Sequence, residues 1–309
     1  MNTVTHLILG DPEDFHAAYM KEQLEAKGIT VAYWDTRHWN GPNAAALHLK
    51  TDLEMPLLTW LDPHTHQSIN AAHIKAVFWR CYYEFSQSSN DERVEYMLNR
   101  DRGGLVESVF KILAHQGCRF VNGLKAFQMH KTKPYQLYRA HQLGVPIPHT
   151  CISNHPQSVQ KTVKAGEWIY KPVLGGAHTE AVTEDDLSDE RLAELPESPV
   201  TFQQRIEGEA IRIVVFPEAC YGIRIETDAL DYRDDQAAPL VQVPVPNHVQ
   251  NQCWAILKAF HMMYSGMDFL RQPDGTFVFL EANPAAMFVG FERRSGAPLT
   301  QALLTLLTA

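Results

Sequence analysis

Two carboxylates and one amide flank a predicted tight turn near the C-terminal end of the sequence. Asp268 precedes the turn, and Glu281 and Asn283 follow it. Asp274-Gly275 separates two apolar runs, which is typical of a β-hairpin because glycine adopts the positive φ that a tight turn requires. A two-residue loop places Asp268 opposite Glu281, and a register displaced by one pair places it opposite Phe279. In either register the three polar side chains share one face of the hairpin.

The chemistry of this face depends on what lies between the two acids. Facing carboxylates repel each other unless a cation separates them. Oxygen donors without sulfur or imidazole suit Mg²⁺, which proteins bind through one or two carboxylates together with substrate phosphates. The alternative is a solvent-exposed hairpin whose acids only face water. Spacing alone leaves both interpretations open.

Two lysines stand where each could supply positive charge to a phosphate. Lys171 ends an apolar run shortly before Gly175-Gly176, and glycines let main-chain N–H groups approach phosphate oxygens. Lys133 precedes the first turn of a predicted helix, where N–H groups favour an anion. The sequence contains neither a Walker A motif nor a GxGxxG motif after a strand. Taken singly, each lysine is more often a solvated charge, and a glycine pair is more often a turn.

The elements that must position these residues fall into two groups. The first part of the chain predicts a βαβ layer that ends at Gly123. It has strands at 5–9, 29–33, 76–79 and 118–121, and helices over 14–27 and 91–115. The second part predicts an α+β unit with an antiparallel sheet. It has helices over 135–143 and 184–194, strands at 167–173, 200–203, 210–216 and 221–225, and a glycine loop over 174–179.

Composition excludes several classes of protein. The chain has 309 residues, of which 45% are hydrophobic and 20% charged, so it predicts a folded protein rather than a disordered or fibrous one. A net charge of −9 disfavours nonspecific nucleic-acid or membrane-surface binding. No apolar stretch is long enough for a membrane helix, and the N-terminus lacks the basic region of a signal peptide. Five cysteines without a CxxC pair predict reduced thiols and a cytoplasmic protein.

Several short motifs follow one another in a fixed order. They are Lys133-Pro134-Tyr135-Gln136-Leu137, Gly144-Val145-Pro146-Ile147-Pro148 with Thr150, Tyr170-Lys171, Phe202-Gln203-Gln204-Arg205-Ile206-Glu207-Gly208, Ile211-Arg212, Asp231-Tyr232-Arg233 and Phe279-Leu280-Glu281-Ala282-Asn283-Pro284. This ordered set resembles the ATP-grasp superfamily, and more closely the RimK-like branch that contains the graspetide (microviridin-type) peptide ligases. The resemblance covers most of the chain.

The resemblance implies a mixed α/β and α+β fold in which two α+β subdomains clasp ATP. A βαβ pre-ATP-grasp domain on the substrate side is expected over 1–122, the ATP-grasp N-terminal subdomain over 123–199, and the C-terminal subdomain over 200–309. Similar enzymes are commonly dimers, so a homodimer is also expected.

The resemblance also implies roles for individual residues. ATP would be bound by Lys133, Lys171, the glycines Gly175 and Gly176, the adenine hinge Gln203, Gln204, Arg205 and Ile206, and Glu209 near the ribose. One or two Mg²⁺ ions would be held by Asp268, Glu281 and Asn283. The catalytic residues would be Arg212, Lys171 and Arg233, and the substrate would be contacted by Arg233 and Arg80.

The implied reaction is ATP-dependent ligation. ATP converts a carboxylate to an acyl phosphate, and an amine or hydroxyl then attacks it to form an amide or ester. The first interpretation is that these links macrocyclise a ribosomal precursor peptide. The family often carries an acid where Gln204 stands, and graspetide ligases commonly continue with Asn-Gly-Gln-Trp where this chain has residues 285–288, Ala-Ala-Met-Phe. The alternative is therefore a RimK-like ligase that adds an amino acid to a protein terminus or a small carboxylate. A kinase and a non-catalytic nucleotide-binding module are further alternatives.

Overall fold

The computed structural model describes residues 3–38, 45–49, 57–62, 65–81, 91–174 and 176–309. The chain folds into two compact units. The first consists of Met1–Leu124, Met287–Val289 and Thr300–Ala309, and the second of Lys125–Ala286 and Gly290–Leu299.

A four-stranded parallel sheet forms the centre of the first unit, with strand order β2-β1-β6-β7. A three-stranded antiparallel sheet, β3-β4-β5, accompanies it. The elements are β1 (His6–Leu9), α1 (Phe15–Glu25), β2 (Val31–Trp34), β3 (Ala46–His48), β4 (Leu57–Leu61), β5 (Ser68–Asn70), β6 (Ala76–Trp79), α2 (Glu92–His115) and β7 (Arg119–Val121). The strands of the parallel sheet are almost entirely buried, as expected for parallel strands with both faces covered.

Two antiparallel sheets form the second unit, with strand orders β10-β9-β11-β8 and β14-β13-β12-β15-β16. The strands are β8 (Thr150–Ser153), β9 (Trp168–Pro172), β10 (Glu180–Ala181), β11 (Val200–Gln204), β12 (Glu209–Phe216), β13 (Ala219–Ile225), β14 (Leu240–Val243), β15 (Ser265–Arg271) and β16 (Phe277–Asn283). The helices along this part of the chain are α3 (Leu124–His130), α4 (Lys133–Gln142), α5 (Pro156–Thr162), α6 (Asp189–Leu192), α7 (Asn247–Ala259), α8 (Val289–Ser295) and α9 (Leu299–Thr308).

Helices α4 and α7 bury one face of the five-stranded sheet. Leu137 of α4 and Ile256 of α7 belong to the same apolar core as Ile213, Met267 and Phe279 of the sheet. Because side chains alternate along a strand, the residues between these core positions point to the other face. The packing of two helices therefore fixes which side chains of β12, β15 and β16 remain available for a site.

Most of the predicted elements are present. The helix predicted from Asp14 begins after that residue, whose carboxylate caps it by accepting a hydrogen bond from the Ala17 N–H at 2.8 Å. The helix predicted over 184–194 is wrong in extent, because only a turn at Asp185–Leu187 and the short α6 form there. Strands β3 to β5, β8, β10 and β14 and helices α3, α5 and α7 to α9 are not predicted. Within the described residues, none of the helices is both long and apolar enough to cross a bilayer.

Candidate active site

A cavity of about 430 Å³ lies in the second unit, and both of its sheets line it. The four-stranded sheet contributes Lys171 of β9, and the five-stranded sheet contributes Asp268 and Glu281. Residues 203–208, which comprise the end of β11 and the connection to β12, form another wall, and Gly176 of the glycine loop also lines the cavity. The fold thus gathers around one cavity several segments that are far apart in sequence.

Three charged residues lie side by side across three neighbouring strands. Arg212 of β12 pairs with Asp268 of β15, and Asp268 pairs with Glu281 of β16. Their neighbours Ile211 and Phe269 are buried, because the alternation of side chains separates the core face from the charged face. The predicted sharing of one hairpin face by Asp268 and Glu281 is therefore present in the structure.

The route of the chain between these two acids differs from a simple two-residue hairpin. The Gln272 N–H donates to the Thr276 carbonyl at 2.9 Å, so the loop is residues 273–275 and has three residues rather than two. A bulge in the ladder between this turn and the acids shifts the register by one residue. The bulge restores the pairing of Asp268 with Glu281 that the longer loop would have displaced.

Arg212 is committed to a buried ion pair. It is 3% exposed, and its Nε and Nη2 donate to the two oxygens of Asp268, each at 2.8 Å. Nη2 also donates to the Tyr232 hydroxyl at 2.6 Å. Burial alone would lower the pKa of Arg212, but the charge of Asp268 outweighs it and the pKa is raised. For the Tyr232 hydroxyl, burial has the opposite effect and raises the pKa to about 12. Arg212 therefore remains charged and fixes the direction of the Asp268 carboxylate.

Glu281 interacts electrostatically with both predicted phosphate lysines. The Lys133 ammonium forms an ion pair with the Glu281 carboxylate, and both residues line the cavity with Lys171. Burial would raise the pKa of Glu281, but the attraction of Lys133 lowers it overall. Burial lowers the pKa of Lys171, and the neighbouring Lys133 charge adds to this effect, although Glu281 opposes both. Lys133 and Lys171 are thus brought to one cavity from different segments, as predicted.

Asn283 completes an all-oxygen donor set on the same face. It pairs with Gly266 at the end of β16, and its Oδ1 accepts a hydrogen bond from the Ala285 N–H at 2.9 Å. Two carboxylates and an amide, without sulfur or imidazole, fit Mg²⁺ bound jointly with phosphate and water. No cluster of three or more His, Cys, Asp and Glu side chains is present in the described part of the chain.

The four predicted hinge residues, Gln203, Gln204, Arg205 and Ile206, all line the cavity. The Gln204 N–H donates to the His149 carbonyl at 2.9 Å, which anchors the hinge to the segment before β8. Gln203 is 1% exposed, and its Nε2 donates to the Thr150 hydroxyl at 3.1 Å. Its Oε1 is buried without a donor among the residues that the structure describes. This acceptor is therefore unsatisfied within the described part of the chain.

Glu209 is placed differently from the hinge. Its neighbours Gly208 and Ala210 line the cavity, whereas the Glu209 carboxylate accepts hydrogen bonds from Arg271 at 2.7 Å and from Arg224 at 3.2 Å. The hydrogen bonds from Arg271 lower the pKa of this exposed acid. The expected contact of Glu209 with a ribose stays a prediction, and it would require exchange of these ion pairs.

Arg233 joins the glycine loop to the turn that follows β13. Its side chain forms a bidentate ion pair with Asp231, and its Nη2 donates to the Ala177 carbonyl at 2.9 Å. Asp231 also accepts a hydrogen bond from the Thr179 N–H at 3.2 Å. Burial would raise the pKa of Asp231, but these hydrogen bonds lower it to about 2. The loop therefore has polar anchors, which sequence reasoning did not identify.

The two predicted glycines have different outcomes. Gly176 has a φ of +102° and lines the cavity, with no atom within 4 Å of the position where a Cβ would lie. Gly175 lies outside the described residues.

Arg80 lies in the first unit, where its Nε donates to Asp14 at 3.0 Å. A role for Arg80 in contacting substrate stays a prediction.

Known proteins resemble this chain to different degrees. No family model matches it. Beta-citrylglutamate synthase B of Danio rerio is 25% identical in an alignment that covers 61% of this chain. The chain spans 50% of the length of that curated relative.

Solved structures resemble the chain over its whole length. The ATP-grasp ligase PsnB, complexed with a phosphomimetic variant of a minimal precursor, Mg and ADP, has a TM-score of 0.82 and 28% identity, covering 99% of this chain and 100% of PsnB. The chain has the ATP-grasp fold. The macrocyclase MdnC from Microcystis aeruginosa MRC, bound with precursor peptide MdnA, shares the fold at a TM-score of 0.81 and 21% identity, covering 99% of this chain and 100% of MdnC.

Two side chains that lie within the sequence motifs, Tyr232 and Gln136, support the cavity, although the sequence predicted no role for them. The Tyr232 hydroxyl contacts Arg212, and the Gln136 side chain binds the main chain of β16. Gln136 carried a readable signal, because it shares the buried face of its helix with Leu137 and Ala140. A polar residue at an apolar position of an amphipathic helix must find a hydrogen-bond partner.

Proposed function

We propose that this chain is an ATP-dependent carboxylate ligase that forms ester or amide links in a ribosomal precursor peptide. One observation carries the proposal: Arg212, Asp268 and Glu281 lie side by side across three strands, and Glu281, paired with Lys133, lines one cavity together with Lys171. The full-length similarity to PsnB, whose complex contains a precursor variant, Mg and ADP, supports it.

ATP would occupy the cavity between the hinge and the two lysines. The four hinge residues would enclose the adenine base. Lys133, Lys171 and the glycine loop would contact the phosphates, and Glu209 would approach the ribose. Asp268, Glu281 and Asn283 would hold one or two Mg²⁺ ions, which would neutralise phosphate charge and so ease attack by a carboxylate.

The protein contributes position and charge to a reaction in two steps. A substrate carboxylate oxygen attacks the γ-phosphorus of ATP, and the bond to ADP breaks. An amine or hydroxyl then attacks the carbonyl of the acyl phosphate, inorganic phosphate leaves, and the nucleophile loses a proton. Lys171 would supply positive charge where negative charge develops, and such charge stabilisation is the largest single contribution in many enzymes. Arg212 would act by holding the Asp268 carboxylate in place. Arg233 and Arg80 would orient the substrate carboxylate.

The similarity to Beta-citrylglutamate synthase B favours a second candidate. In that case, the enzyme would add an amino acid to a small carboxylate or to a protein terminus. The residues 285–288, which depart from the usual graspetide continuation, lie directly after the proposed metal ligand Asn283 and agree with a different acceptor. The two candidates differ in the mass of the product, because cyclisation releases water within one molecule and ligation joins two.

The proposed site is tested by Glu281→Gln, which keeps the size of the side chain and removes its charge. We expect loss of ATP turnover of at least 100-fold, because Lys133 loses its partner and the metal loses a ligand. ADP release is the measurement, with thermal unfolding as evidence that the variant folds. Glu218→Gln, in the exposed turn between β12 and β13, is the matched control and should turn over ATP normally. Normal turnover in Glu281→Gln would contradict the assignment.

We also propose a domain division, a cellular compartment and an oligomeric state for the enzyme. The parallel sheet of the first unit would form the pre-ATP-grasp domain over 1–122, and the two sheets of the second unit would form the two subdomains divided near residue 200. All five cysteines are free, which fits the reducing cytoplasm.

A homodimer is supported by Val94, Met97 and Leu98, which share one face of α2 and are 44%, 53% and 37% exposed. Light scattering after size-exclusion chromatography measures this oligomeric state.

A further inference from the structure

We propose that Gln136 is a positioning residue, which holds the proposed metal-binding strand β16 in place and couples it to Lys133. The inference rests on the proposed function, because it assigns Gln136 to the Mg²⁺ ligands Glu281 and Asn283. Neither Gln136 nor the residues with which it forms hydrogen bonds line the cavity. Gln136 is 1% exposed and lies in the first turns of α4.

The Gln136 amide binds both main-chain groups of one residue. The Ala282 N–H donates to Oε1 of Gln136 at 2.9 Å, and Nε2 of Gln136 donates to the Ala282 carbonyl at 3.1 Å. Nε2 also donates to the Met129 carbonyl at 3.2 Å. His130 reinforces the arrangement through its Nδ1, which lies 3.2 Å from the Ala282 carbonyl oxygen. The amide is thus used on both its donor and its acceptor side.

This contact occurs at the edge of a sheet. β16 is the last strand of the order β14-β13-β12-β15-β16, so β15 pairs with it on one side only. The outward N–H and C=O groups of a buried edge need other partners. The Gln136 side chain offers one donor and one acceptor to Ala282, as a residue of a neighbouring strand would do.

Because of the position of Ala282 in the strand, its hydrogen bonds with Gln136 affect the placement of Glu281 and Asn283. Ala282 is fully buried and lies between Glu281 and Asn283, whose side chains share the opposite face of the strand. Any rotation or shift of the main chain at Ala282 moves both proposed ligands together. A hydrogen-bonded pair at this point therefore restrains the spacing of the ligands.

The same helix also carries the lysine that contacts Glu281. Lys133 lies one helical turn before Gln136, at the N-terminus of α4, and its ammonium pairs with the Glu281 carboxylate. One turn of α4 therefore holds β16 twice, through the Glu281 side chain and through the Ala282 main chain. The Mg²⁺-dependent part of nucleotide binding should therefore depend on Gln136.

The test is calorimetric titration with the non-hydrolysable analogue AMPPNP, with and without Mg²⁺. Gln136→Met keeps the length of the side chain but leaves the Ala282 N–H without its acceptor. We expect the gain in AMPPNP affinity that Mg²⁺ produces to fall at least tenfold, while Mg²⁺-free affinity changes less than threefold. Gln250→Met is the matched control, because the Gln250 Nε2 donates to the Val245 carbonyl at 2.8 Å in the same unit.

Both methionine variants lose a glutamine-to-backbone hydrogen bond, so both are expected to lower the unfolding temperature. Only Gln136→Met should weaken the Mg²⁺ effect; an unchanged Mg²⁺ effect, or an equal loss in both variants, would overturn the proposal. Gln136→Glu provides a second variant if Gln136→Met does not fold, since it retains an acceptor for Ala282 and removes the donor. The same tenfold loss is expected for it, and an intact Mg²⁺ effect in folded Gln136→Glu would equally overturn the proposal.

The titration does not require a peptide substrate. If wild-type protein binds AMPPNP with Mg²⁺ but never ligates a peptide, the proposed function fails while the role of Gln136 stands. If peptide ligation occurs but the Gln136 variants keep the Mg²⁺ effect, the proposed function stands and the role of Gln136 fails.

Discussion

Arg212 and Arg224 lie on neighbouring strands, yet their ion pairs have different surroundings. Arg212 is buried with Asp268, whereas Arg224 pairs with Glu226 and Glu209 at the surface. A buried charge that loses its partner keeps its desolvation cost, but a surface charge is stabilised by water. The two arginines therefore offer a direct comparison of buried and exposed pairs in one sheet.

Arg212→Gln should lower the free energy of unfolding by about 3–5 kcal/mol, because Asp268 would remain buried without its counter-charge. Urea unfolding followed by circular dichroism measures the loss. Arg224→Gln serves as the control and should leave the urea midpoint nearly unchanged. Similar midpoints for the two variants would show that the Arg212 pair is not important for stability.

At the scale of elements, the close approach of β15 to the segment after β16 depends on a glycine. A Cβ added at Gly266 would lie 2.6 Å from the Cβ of Ala286, closer than such atoms occur in proteins. Gly266 pairs with Asn283, so a displacement there would also move a proposed metal ligand. The absence of a side chain at Gly266 is therefore required by packing rather than by a special backbone conformation.

Gly266→Ala should destabilise the protein by about 1–3 kcal/mol, the usual cost of overpacking. Gly290→Ala is the control within the same unit, because no atom lies within 4 Å of its added Cβ. Gly290 lies in helix α8, so alanine should be neutral or slightly stabilising there. Thermal unfolding of the two variants distinguishes these results, and equal unfolding temperatures would contradict the packing argument.

The same elements show what the sequence could and could not reveal. The apolar runs around Asp274-Gly275 identified the hairpin and the shared face of Asp268 and Glu281, because alternation is local. The three-residue loop and the compensating bulge were beyond reach, since their balance depends on packing against α4 and α7. The contact of Gln136 with Ala282 was equally hidden, because it joins residues 146 positions apart.

At the scale of the whole molecule, one buried histidine of the first unit makes stability depend on pH. His16 packs against the Phe288 ring, with centroids 5.2 Å apart, and burial lowers the pKa of His16 to about 4. The unfolded chain binds this proton near the ordinary value of 6.5, whereas the folded protein does not. Stability from this group is therefore complete above about pH 6.5 and is lost as the pH falls toward about 4.

His16→Gln should remove this part of the pH dependence, which amounts to about 1–3 kcal/mol between pH 6.5 and 4. Urea unfolding at several pH values measures the slope in wild type and variant. The exposed His73, also in the first unit, provides the control His73→Gln, which should keep the wild-type slope. A wild-type slope in His16→Gln would assign the effect to other groups.

The central claim, that the chain links carboxylates to nucleophiles within a precursor peptide, is tested most directly by intact mass spectrometry. The substrate is a short peptide with acidic and Ser, Thr or Lys residues, encoded beside the gene for this chain, incubated with enzyme, ATP and Mg²⁺. We expect the peptide to lose the mass of one water for each link, with one ADP formed per link. A gain of an amino-acid residue, a retained phosphate, or an unchanged peptide mass despite ADP formation would contradict the account.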